Sequence, residues 1–384
     1  MDPPVTFRNA AKIAVIIPAY NQAQYLTKAI QSVLEQTLPD FELIVVDDGS
    51  TDETRQLLDG IRDNRLRVIH QSNAGLPSAR NTGLQKSSAS LVTFLDSDDY
   101  FLPDKLEILS MYLEEHPEIG LVAGKAKYID HAGNAMVRPE SPPVPLSMHA
   151  LLLENPICVS GIMLRREWLK RVGAFDETLR ACEDWDLWLR LLAAGCPMAW
   201  VDHPVVAYRI HPGQMTGQAQ RMQKAIFTVL DKFFAEQRLP DEIVARKNDA
   251  YASAMVHSAA FAYLSGEYEV GSSNLAEAIR LSPAFKDNHY KKLLGLLVGW
   301  SYDPRSSDPA AFLQQIIANP PSGHVGLGIQ LRRALADVIL GSLFKSSMET
   351  WRARRLDLLR AVLYKPRWLF NRGVLRMLAD AWLH

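Results

Sequence analysis

Residues 91–104 read LVTFLDSDDYFLPD, which places Asp96, Asp98 and Asp99 within four positions directly after an apolar run. Carboxylates this close repel one another and resist burial unless positive charge sits among them. A divalent cation that joins one or two carboxylates to a diphosphate neutralises both partners at once. Mg2+ or Mn2+ suits the Asp96-Ser97-Asp98 spacing, because magnesium keeps waters and phosphates and takes few protein ligands. An EF-hand calcium loop does not fit, since Phe101 stands where that loop requires glycine. Asp99 is expected to cap the helix that begins near Leu102-Pro103-Asp104, where proline suits the first turn.

Three further stretches carry groups of the same kind. In VVDDGSTDET (45–54), Asp47 and Asp48 are adjacent carboxylates able to accept hydrogen bonds from a base and a ribose, while Ser50 or Thr51 is a candidate cap. NAGLPSARNTGL (73–84) offers Arg80 on a helix, within reach of a phosphate. CEDWDLWLRL (182–191) sets Glu183 and Asp184 in the first turn of a helix that buries Trp185, Trp188, Leu189 and Leu192. A carboxylate on such a firmly held helix start can act as a general base. His211, after VVAYRI, is an imidazole able to join a metal or bind phosphate.

These groups need elements to position them. Strands are predicted at 12–18, 41–48, 66–70 and 90–96, and helices at 23–36, 52–63 and 76–87. Strands apolar on both faces, interleaved with helices, predict an α/β fold with a parallel sheet covered on both sides. Ligands collect beyond the carboxyl ends of such strands. PAYN (18–21), DDGSTD (47–52), QSNAG (71–75) and DSDD (96–99) all fall there. Further on, a hairpin is expected at 126–139, a buried strand at 158–164, a helix at 183–195 ended by Gly195, and a strand at 203–211.

Beyond about 215 the strand signals vanish and an all-helical region, 216–384, is expected. Residues 252–283 have the small residues and turn spacing of one tetratricopeptide-like hairpin, without a second copy. In the last forty residues, nine Lys and Arg outnumber Glu349, Asp357 and Asp380 and alternate with Trp351, Leu363, Trp368, Phe370, Leu375 and Trp382. Such a basic amphipathic segment (345–384) fits peripheral contact with an anionic membrane, or a helix pair packed on its own domain.

Composition narrows the classes. The 384 residues are 48% hydrophobic with 42 basic against 43 acidic side chains, so no basic footprint for nucleic acid is present. Three scattered cysteines predict a reducing cytoplasm and no disulfide framework. No basic-then-apolar leader opens the sequence and no apolar run reaches about 18 residues, so a cytoplasmic protein, peripheral at the inner membrane face at most, is expected.

Taken in order, AVIIPAYNQAQYLTKAIQSVLEQTLPDFELIVVDDGSTDET, NAGLPSARNTGL, FLDSDD and ED before WDLWLRL resemble the family-2 inverting glycosyltransferases of GT-A fold, over residues 12–215. The resemblance implies a mixed nucleotide-binding sheet, with a nucleotide half at 12–100 and an acceptor half at 100–215. It assigns the uridine of a UDP-sugar to Pro18, Ala19, Tyr20 and Asp48, with Asn21, Arg80 and Ser97 completing the nucleotide set. It also implies Asp96 at the ribose and metal, Asp98 as the DXD ligand of Mn2+ or Mg2+, and Asp184 as catalytic base. His211, in YRIHPGQMT, matches a stretch of bacterial members and joins the metal set. The QxxRW signature of processive members is missing, which implies single-hexose transfer to a glycan or lipid-linked acceptor, as in polysaccharide and cell-envelope synthesis. Alternatives are an inactive scaffold and a nucleotidyltransferase; the latter's basic glycine-rich loop is absent, since PAYNQAQY has no Lys or Arg.

Overall fold

The computed structural model describes residues 11–136, 145–215, 219–236, 239–303, 306 and 308–382. The chain divides into two compact units, Met1–Arg246 and Lys247–His384.

The first unit opens with β1 (Ile13–Ala19), α1 (Ala23–Leu34), β2 (Phe41–Asp47), α2 (Thr54–Gly60), β3 (Leu66–His70), α3 (Leu76–Gln85) and β4 (Leu91–Phe94). All seven fall where periodicity predicted them. β1 pairs in parallel with β2 and β4, and β2 with β3, so four carboxyl ends share one edge. Every residue of β1 and β4 is buried, which is why neither strand alternates in polarity.

The second half is mixed. It comprises β5 (Tyr100–Phe101), α4 (Lys105–Glu115), β6 (Leu121–Ile129), α5 (Met148–Leu153), β7 (Ile162–Arg165), α6 (Arg166–Val172), α7 (Glu183–Ala193) and β8 (Met198–Arg209). The eight-stranded sheet runs β3-β2-β1-β4-β7-β6-β8-β5, with β7 antiparallel to both β4 and β6 and β5 antiparallel to β8. β5 and the end of β8 thereby bring Asp98 and Asp99 beside Arg209 and His211 (below). The expected hairpin is reduced to a tight turn at 130–133 and a single bridge from Ile129 to Ala135; residues 137–139 lie outside the described residues.

The first unit extends past 215, because α8 (Ala219–Ala235) and the short α9 (Asp241–Val244) belong to it. Lys232 on α8 reaches Asp186 of α7 and Asp176, each at 2.6 Å, which ties the helix to that unit.

Among the described residues the second unit's regular elements are all helical: α10 (Lys247–Leu264), α11 (Tyr268–Leu281), α12 (Asp287–Ser301), α13 (Pro309–Ala318), α14 (Val325–Leu343), α15 (Met348–Ala353), α16 (Arg355–Tyr364), a 3-10 turn at Pro366–Phe370 and α17 (Arg372–Trp382). α10 and α11 form the expected hairpin. Gly271 lets them close together, since a Cβ there would lie 2.8 Å from the Tyr263 ring. One apolar core runs through the unit, from Ala252 to Ala381.

Candidate active site

Asp48 follows β2 in a turn that needs Gly49 in the left-handed region at φ +75°, where a Cβ would meet the Asn73 amide at 2.7 Å. The Asp48 carboxylate is buried and accepts from Gln71 Nε2 at 2.7 Å and from the Ala74 and Gly75 amides at 2.9 and 2.8 Å. Asp47, beside it, accepts from the Ser50 amide and meets His70 Nδ1 at 2.8 Å; burial opposes its charge, but these bonds hold its carboxyl below the ordinary value. Neither Ser50 nor Thr51 caps α2. Instead Asn21 Oδ1 accepts from the Thr51 and Asp52 amides, and the Asn21 amide donates to Ser50 Oγ, so PAYN and DDGSTD clamp each other. Tyr20 keeps about half of its surface exposed next to this clamp.

Arg80 does not project toward solvent. Its guanidinium is 1% exposed and bridges two carboxylates, Nη2 donating to Asp96 Oδ1 and Nη1 to Glu183 Oε1. Nε lacks a partner among the described residues. Burial alone would weaken the Arg80 charge, yet Asp96 and Glu183 hold it above the ordinary arginine value. Arg80 is thus a strut between the acidic loop after β4 and the start of α7.

The three aspartates part company. Asp99 is no helix cap: it is buried, accepts from Ser160 Oγ at 2.8 Å and from the Arg209 amide at 2.9 Å, and α4 begins six residues later. Burial, then Asp98 and Asp96, push its carboxyl well above the usual range. Ser160 also accepts the Asp96 amide at 3.0 Å, and its carbonyl accepts from the buried Lys105 Nζ at 2.7 Å. Burial likewise raises Asp96, only partly offset by Arg80. Asp98 retains access to solvent and meets His211 Nε2 at 3.0 Å. Arg209 Nε grips the Asp98 carbonyl, and its guanidinium lies 4.6 Å from the Tyr25 ring, which also flanks His211.

Asp184 sits one residue into α7, whose preceding residue, Cys182, turns through φ +59°. Trp185 Nε1 donates to the Leu151 carbonyl at 2.7 Å and Trp188 is fully buried, so the helix start is fixed. The Asp184 carboxylate accepts from Asn155 Nδ2 at 3.0 Å and from the Trp185 amide at 2.7 Å. Burial and the adjacent Glu183 push its carboxyl up to about 7, against the pull of Arg80.

Arg80 thus joins Asp96 to Glu183, the neighbour of Asp184, and Asp98 pairs with His211, while Pro18, Ala19, Tyr20, Asn21 and Asp48 lie at the ends of β1 and β2. Ser97 is buried in the acidic loop. Among the described residues no three His, Cys, Asp or Glu side chains converge as a ready metal cluster, so Asp96, Asp98 and His211 are not a preformed three-ligand set. The donors nevertheless fit a hard divalent ion: a carboxylate and an imidazole in contact, both retaining a small exposed surface. Glu183, Asn155, Ser160, Lys105 and Arg209 were not among the expected site residues. Only Glu183 and Arg209 carried a signal, each standing beside an expected residue in ED and YRIH.

Residues 14–173 match the family model described as Glycosyl transferase family 2. These residues form a family 2 glycosyltransferase domain. An uncharacterized glycosyltransferase of Rickettsia conorii is 33% identical over 215 residues, 54% of this chain and 34% of the relative's length. The chain thus spans about a third of that protein. Among solved structures, Staphylococcus aureus TarS 1–349 superposes with a TM-score of 0.53 at 19% identity, covering 86% of this chain and 92% of that one. Its complex with UDP-GlcNAc aligns at 0.50 and 18% identity, with the same coverage. The mannosyltransferase PcManGT from Pyrobaculum calidifontis, in complex with GDP-Man and Mn2+, aligns at 0.51 and 19% identity over 81% of this chain and 87% of that one. These likenesses establish the GT-A fold of the glycosyltransferase domain, including the curled mixed sheet and the helical region after it.

Proposed function

We propose that this protein transfers one hexosyl unit from a UDP-sugar to a hydroxyl of a glycan or lipid-linked acceptor, with inversion at the anomeric carbon and with Mn2+ or Mg2+ as cofactor. The observation that carries this reading is Asp184. A carboxyl pushed up to about 7 stands on a rigid helix start, joined through Glu183 and Arg80 to the acidic loop.

Asp184 accepts the proton of the acceptor hydroxyl as that oxygen attacks the anomeric carbon. The bond from that carbon to the diphosphate oxygen breaks on the opposite face, and its electron pair leaves with the nucleoside diphosphate. A single displacement with oxocarbenium character inverts the configuration and needs no nucleophilic side chain. Tyr20 offers an exposed ring to the base, and the buried Asp48 carboxylate holds Gln71 and the Ala74–Gly75 backbone in place beside it. Arg80 opposes the penalty that burial places on the Asp96 charge and fixes that carboxylate in position. Asp98 and His211, with Asp96 alongside, would hold a divalent ion, which would supply Lewis-acid neutralisation of the departing diphosphate. The TarS complex with UDP-GlcNAc and the PcManGT complex with GDP-Man and Mn2+ support a nucleotide-sugar donor and a metal.

The test is donor turnover across a panel of UDP-sugars with and without Mn2+, on three proteins. The native chain is expected to turn over one donor only with metal. Asp184→Asn keeps UDP affinity within about twofold and loses transfer by roughly 10²–10⁴-fold. Asp98→Ala loses the Mn2+-dependent part of donor affinity. Near-native transfer by Asp184→Asn would remove the base, and metal-independent turnover by the native chain would remove the cofactor.

A further inference from the structure

The structure sorts the C-terminal segment into two populations. Leu358, Ala361 and Val362 of α16 and Val374, Met377 and Ala381 of α17 are buried in the helical unit's own core. Two of the three tryptophans are also held on that unit: Trp351 Nε1 donates to the Leu343 carbonyl and Trp368 Nε1 to Asp337. Lys365 is paired with Asp337. These residues follow the self-packing reading.

What is left outside is unlike an ordinary protein surface. From 351 to 382 every exposed side chain is arginine or apolar, apart from Asn371. Six are arginines, and the large apolar ones include Leu356, Leu363, Phe370 and Trp382, with Phe370 90% and Leu363 76% exposed. On α16, Leu356, Arg360 and Leu363 follow i, i+4, i+7 spacing and share a face. On α17, Arg372, Leu375 and Arg376, at i, i+3 and i+4, share a face opposite the buried Val374, Met377 and Ala381. The two acids are half-buried and already paired, Asp357 with Arg354 at 3.1 Å and Arg360 at 3.6 Å, Asp380 with Arg376 at 3.5 Å. No exposed carboxylate therefore opposes the arginines within this segment.

From this surface we infer that α16, the 3-10 turn at Pro366–Phe370 and α17 dock on an anionic lipid bilayer. Arginine and large apolar side chains exposed on α16, the turn and α17, where the exposed acid in contact, Asp337 of α14, is already paired with Lys365, complement a layer that is negative at its headgroups and apolar just beneath. A protein partner would have to supply both an acidic rim and an apolar floor; an anionic bilayer has both everywhere. Among the described residues no helix is long and apolar enough to cross a membrane, so the contact lies in the interfacial plane. The inference is independent of sugar transfer, because it concerns binding alone.

Co-sedimentation of the full chain with vesicles tests it, using phosphatidylcholine alone and phosphatidylcholine mixed with phosphatidylglycerol. Retention is expected on the mixed vesicles, is weak on the neutral ones, and falls with added salt. Arg367→Gln and Arg372→Gln, exposed residues outside the described ion pairs, should each weaken binding about fivefold. The double variant Leu363→Ser, Phe370→Ser should weaken it further in high salt, where the apolar part of the contact persists. Equal retention on both vesicle types, no retention at low salt, or indifference to both sets of variants would each overturn the proposal. An oligomer that the serine variant dissolves, without vesicle binding by the native chain, would instead assign the surface to copies of this chain.

Discussion

Asp184 owes its basicity to its neighbours. An isolated aspartate titrates near 3.8, too acidic to take a proton from a hydroxyl with much driving force at neutral pH. Burial and Glu183 penalise its charge, and Arg80 restores only part of what they remove. The protonated form cannot act as a base, so activity should fall as pH drops through about 7, where Asp184 takes up its proton. Measured as kcat/KM against pH, the acid limb of the profile should bend near 7. Asp184→Glu, with its longer side chain, should retain a trace of activity while moving that bend. An acid limb bending near 4 would mean that Asp184 is not the titrating base. His211 and Asp98 meet each other across 113 positions of sequence, so their contact is a product of the fold.

At the scale of elements, α3 decides whether the strut reaches its targets. It packs on β1 through Gly83, where a Cβ would stand 2.4 Å from Ile16 Cγ2. Ile16 is in the middle of a fully buried strand and has no room to retreat. Gly83→Ala should therefore shift α3 outward and cost about 1–3 kcal/mol by overpacking, despite alanine's better helix propensity. Chemical denaturation reads the loss, and donor KM should rise with it because Arg80 lies on the same helix. A stabilised Gly83→Ala would show that α3 can slide without consequence. β5, β7 and β8 contribute in the same manner, since Ser160 just before β7 and Arg209 at the end of β8 are what hold Asp99 and Asp98 in place.

The whole molecule contains separate cores, one running from Ile13 to Val206 in the glycosyltransferase domain and one from Ala252 to Ala381 in the helical unit. Calorimetry of the full chain should show two transitions. UDP with Mn2+ should raise only the one that Gly83→Ala lowers, because ligand linkage acts on the unit that binds. A Leu335→Ala cavity in the helical core, where that side chain is fully buried, should lower only the other by about 2–5 kcal/mol. A single transition moved by all three would show one cooperative unit.

The sequence by itself determined the parallel half of the sheet, its helices and the strand ends where PAYN, DDGSTD and DSDD collect. Those depend on local periodicity and on turn residues such as Gly49, which a short window contains. It also placed Asp184 on a helix start fixed by tryptophans. The tertiary structure decided what the charges do: that Arg80 is a buried strut, that Asp99 is locked by Ser160 and Arg209, that α8 belongs to the first unit, and which side of the C-terminal helices faces out. Each of these rests on groups brought together from distant parts of the chain, and the protonation of a buried carboxylate is set by that company.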